Sequence, residues 1–305
     1  MTSPAGRLSL PGTFRRVLEL LRRNPRPIRD ALVVIGLGRA FWYYVVQGID
    51  PMKGLAVDAR AYWQVDLAHP YADSGVGVTS TYLYSPAFAQ ALAPFSVLPF
   101  PIFYALWTAM LVGILVWLVR PWPWALFILA LPVSFELLVG QVHLLIAASL
   151  VIAFRHPAAH AVGVFTKITP GMALLWYAMR REWRSLAFAG VALVAVTSIS
   201  FALSPSAWFD WVTFLSVGSG RSEILYLRVL VAVGLIVVGA RTGRRWLVPI
   251  AVWIALPVVW VESWVILLAV IRLYPDTDPP TRPTTDAGPL ISGVSGARSS
   301  GTGPG

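Results

Sequence analysis

The stretch Arg155–Arg181, RHPAAHAVGVFTKITPGMALLWYAMRR, decides how the chain is threaded. It sets 24 residues between Arg155 and the pair Arg180-Arg181, with Thr166-Lys167-Ile168-Thr169-Pro170 in the middle. Read as one helix, it would cross a bilayer and put Arg180, Arg181 and Arg184 outside, against the rule that Lys and Arg stay inside. Read as a hairpin of two short helices with its apex at Lys167–Pro170, it keeps both arginine clusters on one side. Pro170 suits the first turn of the returning helix, where a missing N–H removes no helical bond. Half-length helices persist in a membrane only when they are buried in protein or line a cavity. The hairpin therefore predicts a bundle of other helices around it.

The rest of the chain supplies that bundle. Of 305 residues, 57% are hydrophobic and 12% charged, against roughly 25% charged in a soluble domain. The mean hydropathy is +0.70. Only residues 1–30 and 274–305 are polar enough to live in water. The apolar run 31–48 is followed by no small-x-small cleavage site, so it is an uncleaved first span. Further spans are expected at 101–119, 122–138, 142–154, 185–203 and 225–240. The apolar stretch 86–98 is too short to cross and is interfacial or re-entrant. Residues 246–273, broken by Pro249 and Pro257, form a second hairpin with its corner near Trp260–Ser263. The reading is an all-α polytopic membrane protein of about ten membrane-embedded helices. It divides into a basic leader (1–28), a transmembrane domain (29–273) with outer loops at 49–85 and 204–224, and a disordered tail (274–305).

Charge orients this bundle in a plasma membrane. Seven arginines in residues 1–30, then Arg120, Arg155, Arg180, Arg181, Arg184, Arg241, Arg244, Arg245 and Arg272, fall on inner segments, so both termini are cytoplasmic. Asp50, Asp58, Asp66, Asp73, Glu136, Asp210, Glu223 and Glu262 gather at or near the outer face. The net charge of +10 is accounted for by topology, and no nucleic-acid partner is implied. Only Lys53 and Lys167 among 24 basic residues are lysines, a usage pointing to a G+C-rich, actinobacterial type of genome. The absence of Cys excludes disulfides and thiolate metal sites. No phosphate loop, His-Glu-x-x-His or Gly-x-Ser-x-Gly is present. What remains is polar groups at the outer boundary, and charge at membrane depth is costly enough to suggest function.

Several of these polar pieces come in a familiar order. Val57-Asp58-Ala-Arg60-Ala-Tyr62-Trp63, then Tyr71, then Tyr82-Leu-Tyr84-Ser85-Pro86, resembles the first outer loop of the polyprenyl-phosphate-mannose-dependent mannosyltransferases, glycosyltransferase family 87 with the GT-C fold. Gly140-Gln141-Val142-His143, Thr166-Lys167-Ile168-Thr169-Pro170 and Pro257-Val-Val-Trp260 resemble that family too. The resemblance covers roughly residues 30–272. It implies an extracytoplasmic inverting transferase that moves a hexose, mannose by resemblance, from a polyprenyl-phosphate donor to a hydroxyl of a glycolipid or glycan. The partners are then membrane lipid, donor and acceptor, with the donor as co-substrate, no resident cofactor and no metal.

The residues take roles within that reading. Asp58 is the expected general base; its plain alternative is the N-cap of a short helix, 59–67. Lys167 offers a point charge to the donor phosphate, or snorkels to the interface. Arg221 and Arg228 are further phosphate candidates or simple loop and helix-end charges. Arg60 is an ion-pair partner of Asp58 or a second phosphate contact. Tyr62, Trp63 and Tyr84 are expected at the sugar. Gln141 and His143 bond phosphate or sugar hydroxyls, or a neighbouring helix. Where the family carries a His-containing stretch after Pro257-Val-Val-Trp260, this chain has Val261-Glu262-Ser263-Trp264, so Glu262 is the substitute polar contact or the mark of a degenerate relative. His69, His156 and His160 are read as ordinary. Asp50, Asp58 and Asp66 recur at eight, but Pro51 and Gly54 break any helix that would align them on a metal. A transporter would show internal repeats and mid-membrane sites. A membrane scaffold would not need the acidic, aromatic outer loop.

Overall fold

The computed structural model describes Asp30 and residues 56–72, 75, 81–217 and 223–274. The basic leader, the first span, Asp50, Lys53, Asp73, Arg221 and the tail beyond Tyr274 lie outside the described residues. Those described are helical or irregular, with no strand element among them.

Among the described residues three helices are long and apolar enough to cross a membrane: Phe100–Val119, Trp183–Leu203 and Ile224–Thr242. At 1.5 Å per residue the first is about 30 Å long, the thickness of a hydrocarbon core. Its inward stripe is Phe103, Trp107, Leu111, Leu115 and Leu118, all buried. Trp183–Leu203 buries only Ala189 and Ser200 and presents Phe188, Val191, Val194, Ile199 and Leu203 outward, as a lipid-facing helix does. Ala130–Val139 and His143–Ala153 form a bent pair at 107°, which makes a fourth span if counted as one.

The expected count of about ten membrane-embedded helices, half-length arms included, is not confirmed among the described residues, where three helices, or four with the bent pair taken as one, are long and apolar enough to cross. The first expected span lies outside the described residues, and the two hairpins contribute half-length arms rather than crossings. The expected span 122–138 is also divided. One turn, Ala125–Ile128, ends at Leu129, and a new helix starts at Ala130. Pro132 explains the break: deeper in a helix its ring would strike the carbonyl four residues back, whereas the restart puts it in a first turn. The expected outer loop 204–224 is largely helix, Pro205–Val217, opened by Pro205. Pro86–Leu92 is short as expected, with Ser85 accepting from the Phe88 N–H as its cap.

Both hairpins form. His160–Thr166 leads to an extended Lys167, and a 3₁₀ turn, Thr169–Ala173, leads into Leu174–Arg180. The arms are antiparallel, because the His160 ring meets Tyr177 edge-on at 5.5 Å. Tyr177 also donates to the Ala153 carbonyl at 2.7 Å, tying the hairpin to the helix before it. Gly163 permits the fit: a Cβ there would lie 2.7 Å from Ser149 Oγ and 3.1 Å from Pro170 Cβ. In the second hairpin, Leu247–Ile254 is followed by Val261–Leu267 and Leu268–Leu273. Its ends meet through Trp246 and Tyr274 at 5.9 Å, and its middle through Trp253 and Trp264 at 4.5 Å.

The arginine-bearing ends gather together. Arg180 donates to the Ala240 carbonyl at 3.2 Å, and the Arg245 guanidinium lies 5.2 Å above the Phe154 ring. Arg272 donates to the Trp117 carbonyl and covers that ring. The other end of the His143–Ala153 helix is the corner at Gly140. Gly140 is left-handed (φ 75°), and a Cβ there would lie 2.7 Å from Ala59 Cβ and 3.3 Å from Trp107 Cδ1. Trp107 Nε1 donates to the Gly140 carbonyl at 2.8 Å, and the Ala56 N–H donates to the Leu138 carbonyl at 2.9 Å. Gly140→Ala combines this clash with a left-handed penalty of about 1–2 kcal/mol. It is expected to lower the thermal unfolding midpoint of the detergent-purified protein and to displace the helix carrying Ala59. Gly190→Ala, at a helical site with nothing within 4 Å, should leave the midpoint unchanged or raise it.

Candidate active site

Asp58 sits on a two-turn helix, Val57–Trp63, docked on the Gly140 corner. The capping alternative fails: the N-cap is Ala56, itself left-handed, and Asp58 lies one residue inside the first turn. Its carboxyl is half-buried. Burial pushes that carboxyl up from 3.8 to about 7; the Lys167 ammonium pulls it down, Glu262 pushes it up, and a Gln141 hydrogen bond pulls it down. Three segments far from it in sequence thus converge on one carboxylate.

Gln141 is held from its other side. Its Oε1 accepts from Tyr84 Oη at 2.9 Å and from the Val142 N–H at 3.2 Å, with Tyr62 Oη 3.4 Å away. Tyr62 Oη donates to Tyr84 Oη at 3.0 Å. With its oxygen so occupied, the amide nitrogen is what remains for Asp58. Tyr62 and Tyr84 are buried, and the Tyr62 ring is enclosed by Tyr84, Phe88 and Trp107 at 5.1, 5.5 and 5.4 Å. Neither ring presents a free face to a sugar, contrary to the sequence expectation. They pack the floor beneath Asp58, because positions 58 and 62 share one helix face. Trp63 is half-buried, donates to the Leu98 carbonyl at 2.8 Å and lies against Phe100.

Arg60 goes elsewhere. Residues two apart on a helix do not face each other, and the Arg60 guanidinium lies 4.3 Å above the Phe100 ring. Arg228 lies within the Glu223–Thr242 helix, half-buried, in register with Ala232 and Ile236, the buried stripe of that helix. Arg221 lies outside the described residues. Asp66 and His69 make a local surface pair at 3.6 Å.

Lys167, half-buried at the hairpin apex, is oriented by two anchors. Its N–H donates to the Gly163 carbonyl at 2.9 Å, and Ser85 Oγ donates to the neighbouring Phe165 carbonyl at 2.6 Å. Its Nζ lies 2.7 Å from His143 Nε2. His143 Nδ1 in turn lies 3.0 Å from Glu136 Oε2, and Glu136 Oε1 accepts the Leu144 N–H at 2.8 Å. Both His143 and Glu136 are fully buried. Glu262, half-buried in the first turn of Val261–Leu267, is close enough to act on Asp58, Lys167 and Glu136. Among the described residues no group of three His, Asp or Glu side chains is disposed to hold a metal.

The site thus sets a carboxylate within electrostatic reach of an ammonium, at the arginine-poor end of an apolar helical bundle. The family model for glycosyltransferase family 87 matches residues 82–288. The chain belongs to this family. It is accordingly a membrane glycosyltransferase. The family match contains Tyr84, Glu136, Gln141, His143, Lys167, Arg228 and Glu262, and begins after Asp58, Arg60, Tyr62 and Trp63. No curated protein and no solved structure matches the chain at a significant level.

Sequence reasoning placed Glu136 at the outer face but gave it no part in the site. Its signal was its position, an acid in an apolar run seven residues before His143. Seven residues along a straight helix bring two side chains near one face, but the 107° bend removes that expectation. Glu136 reaches His143 across the bend instead, with its carboxylate at a helix N-terminus.

The raised Asp58 carboxyl gives two pH effects. If Asp58 must be ionised to act, transfer should fall about tenfold per unit as pH drops below about 7. Stability moves the other way. Between about 4 and 7 the folded protein keeps a proton that the unfolded chain has lost, so this group's contribution falls as pH rises. Thermal unfolding in detergent should show Asp58→Asn gaining on the parent protein across that window.

Proposed function

We propose that this family 87 glycosyltransferase moves a hexose, mannose by the family resemblance, from a polyprenyl-phosphate donor to a hydroxyl of a lipid or glycan acceptor on the extracytoplasmic face, with inversion. The observation that carries this reading is the convergence of Asp58 and Lys167, more than a hundred positions apart, on one electrostatic cluster. The acceptor oxygen attacks the anomeric carbon from the face opposite the phosphate. Its proton passes to Asp58 as the new glycosidic bond forms. The bond from the anomeric carbon to the phosphate oxygen breaks, and polyprenyl phosphate leaves with the bonding pair. The Lys167 ammonium stabilises the charge gathering on that phosphate. The donor is a co-substrate, and the scheme uses no resident cofactor or metal.

Placement of the groups supports the sidedness. Arg60, two residues after Asp58, lies over Phe100, the first residue of the Phe100–Val119 helix, and Arg272 grips Trp117 near its last. Asp58 and the arginine-bearing ends are thus separated by nearly the length of a span, about 25–30 Å. By the positive-inside rule the Asp58 end faces away from the cytoplasm.

Purified protein incubated with labelled polyprenyl-phosphate-mannose and a lipid-extract acceptor pool should transfer label to a new product. Asp58→Asn should abolish transfer, a loss of at least about a hundredfold, while donor affinity changes little. Lys167→Ala should weaken donor binding strongly. Transfer by Asp58→Asn at the parent rate, or unchanged donor affinity in Lys167→Ala, would remove that residue from the scheme.

A further inference from the structure

Glu136 and His143 are buried, linked to each other and, through His143 Nε2, to Lys167, and the mechanism above does not use them. We infer that Glu136 and His143 are positioning residues that fix the Lys167 ammonium for the donor phosphate, by locking His143 in the tautomer protonated at Nδ1. The inference rests on the assignment of Lys167 to the phosphate in the proposed function.

The inventory of donors and acceptors decides the tautomer. An ammonium has three N–H donors and no acceptor. At 2.7 Å from Lys167 Nζ, His143 Nε2 must therefore offer a lone pair. The ring proton then sits on Nδ1 and is donated to Glu136 Oε2 at 3.0 Å. The other carboxylate oxygen, Oε1, is committed to the Leu144 N–H at 2.8 Å. Glu136 is thus needed as a double acceptor, a demand that only a carboxylate meets. A carboxylate holding an imidazole that holds a cation repeats the orientation logic seen around metal-bound histidines. One ammonium N–H is spent on His143, and the other two make no hydrogen bond among the described residues, so they can point at a phosphate.

The isosteric variant Glu136→Gln separates this from mere packing. A glutamine has one acceptor oxygen and one NH2 donor. With its oxygen on the Leu144 N–H, its NH2 faces Nδ1 and drives the ring proton to Nε2. That places an N–H against the ammonium and releases it.

The test has two arms on the full-length, detergent-purified protein. In the first, the chain's four histidines are 15N-labelled and His143 is assigned by its absence in His143→Gln. The parent should show a neutral ring protonated at Nδ1, and Glu136→Gln should show protonation at Nε2. A parent ring protonated at Nε2, or at both nitrogens, overturns the inference, as does an unchanged tautomer in Glu136→Gln. Should Glu136→Gln lose its cooperative thermal transition, the parent spectrum decides alone. In the second arm, the donor KM should rise about tenfold or more in Glu136→Gln. It should be no higher in Glu136→Gln/Lys167→Ala than in Lys167→Ala, since a positioning residue has nothing left to position. Additive losses would show a general structural role and overturn it. A parent protein that transfers no sugar from polyprenyl-phosphate donors ends the proposed function, while the spectra still judge the tautomer.

Discussion

The contact between Ala59 and Gly140 is where this molecule is tied together. A left-handed residue without a Cβ lets the short Asp58 helix sit on the reversal between Ala130–Val139 and His143–Ala153. Three consequences follow from the same approach. Trp107 can donate to the Gly140 carbonyl and brace the corner against a full span. Gln141, the next residue, is thrown toward Asp58. His143 begins a helix whose first N–H groups need an acceptor, and Glu136 supplies one.

Around that corner the polar groups form two linked layers. Beneath Asp58 lie Tyr62, Tyr84 and Gln141, which satisfy one another and leave a single amide for the carboxylate. Beside them Glu136, His143 and Lys167 form a chain ending at the hairpin apex. Burying so much polarity in an apolar bundle is tolerable only because nearly every atom has a partner. The half-length hairpins follow from the same economy of space. A helix that stops midway leaves backbone groups to satisfy, and surrounding protein must do it.

The helix Pro205–Val217 closes the site side. Trp208 donates to Ser200 Oγ at 3.0 Å and meets Phe165, two residues before Lys167, while Phe214 stacks on Tyr71 of the outer loop. This segment joins the lysine hairpin to the loop that carries Asp58. What looked like a connecting loop is a structural clamp, with Trp208 and Phe214 packed on protein.

Much of the fold was legible from residue order alone. Apolar run lengths, arginine positions and Pro170 between two arginine clusters were enough for an all-helical membrane bundle with two hairpins, because backbone satisfaction and charge placement in a bilayer are local constraints. That Asp58 and Lys167 stand in one electrostatic cluster was legible too, since charge is rare enough here to stand out. Which polar groups face one another was not. Arg60 stands two residues from Asp58 and turns to Phe100, Tyr62 exchanges a sugar for the core, and Glu136 finds His143 across a bend. Those outcomes depend on interhelical angles and on a corner only a glycine allows, and such geometry is settled by packing between segments that sequence spacing does not relate.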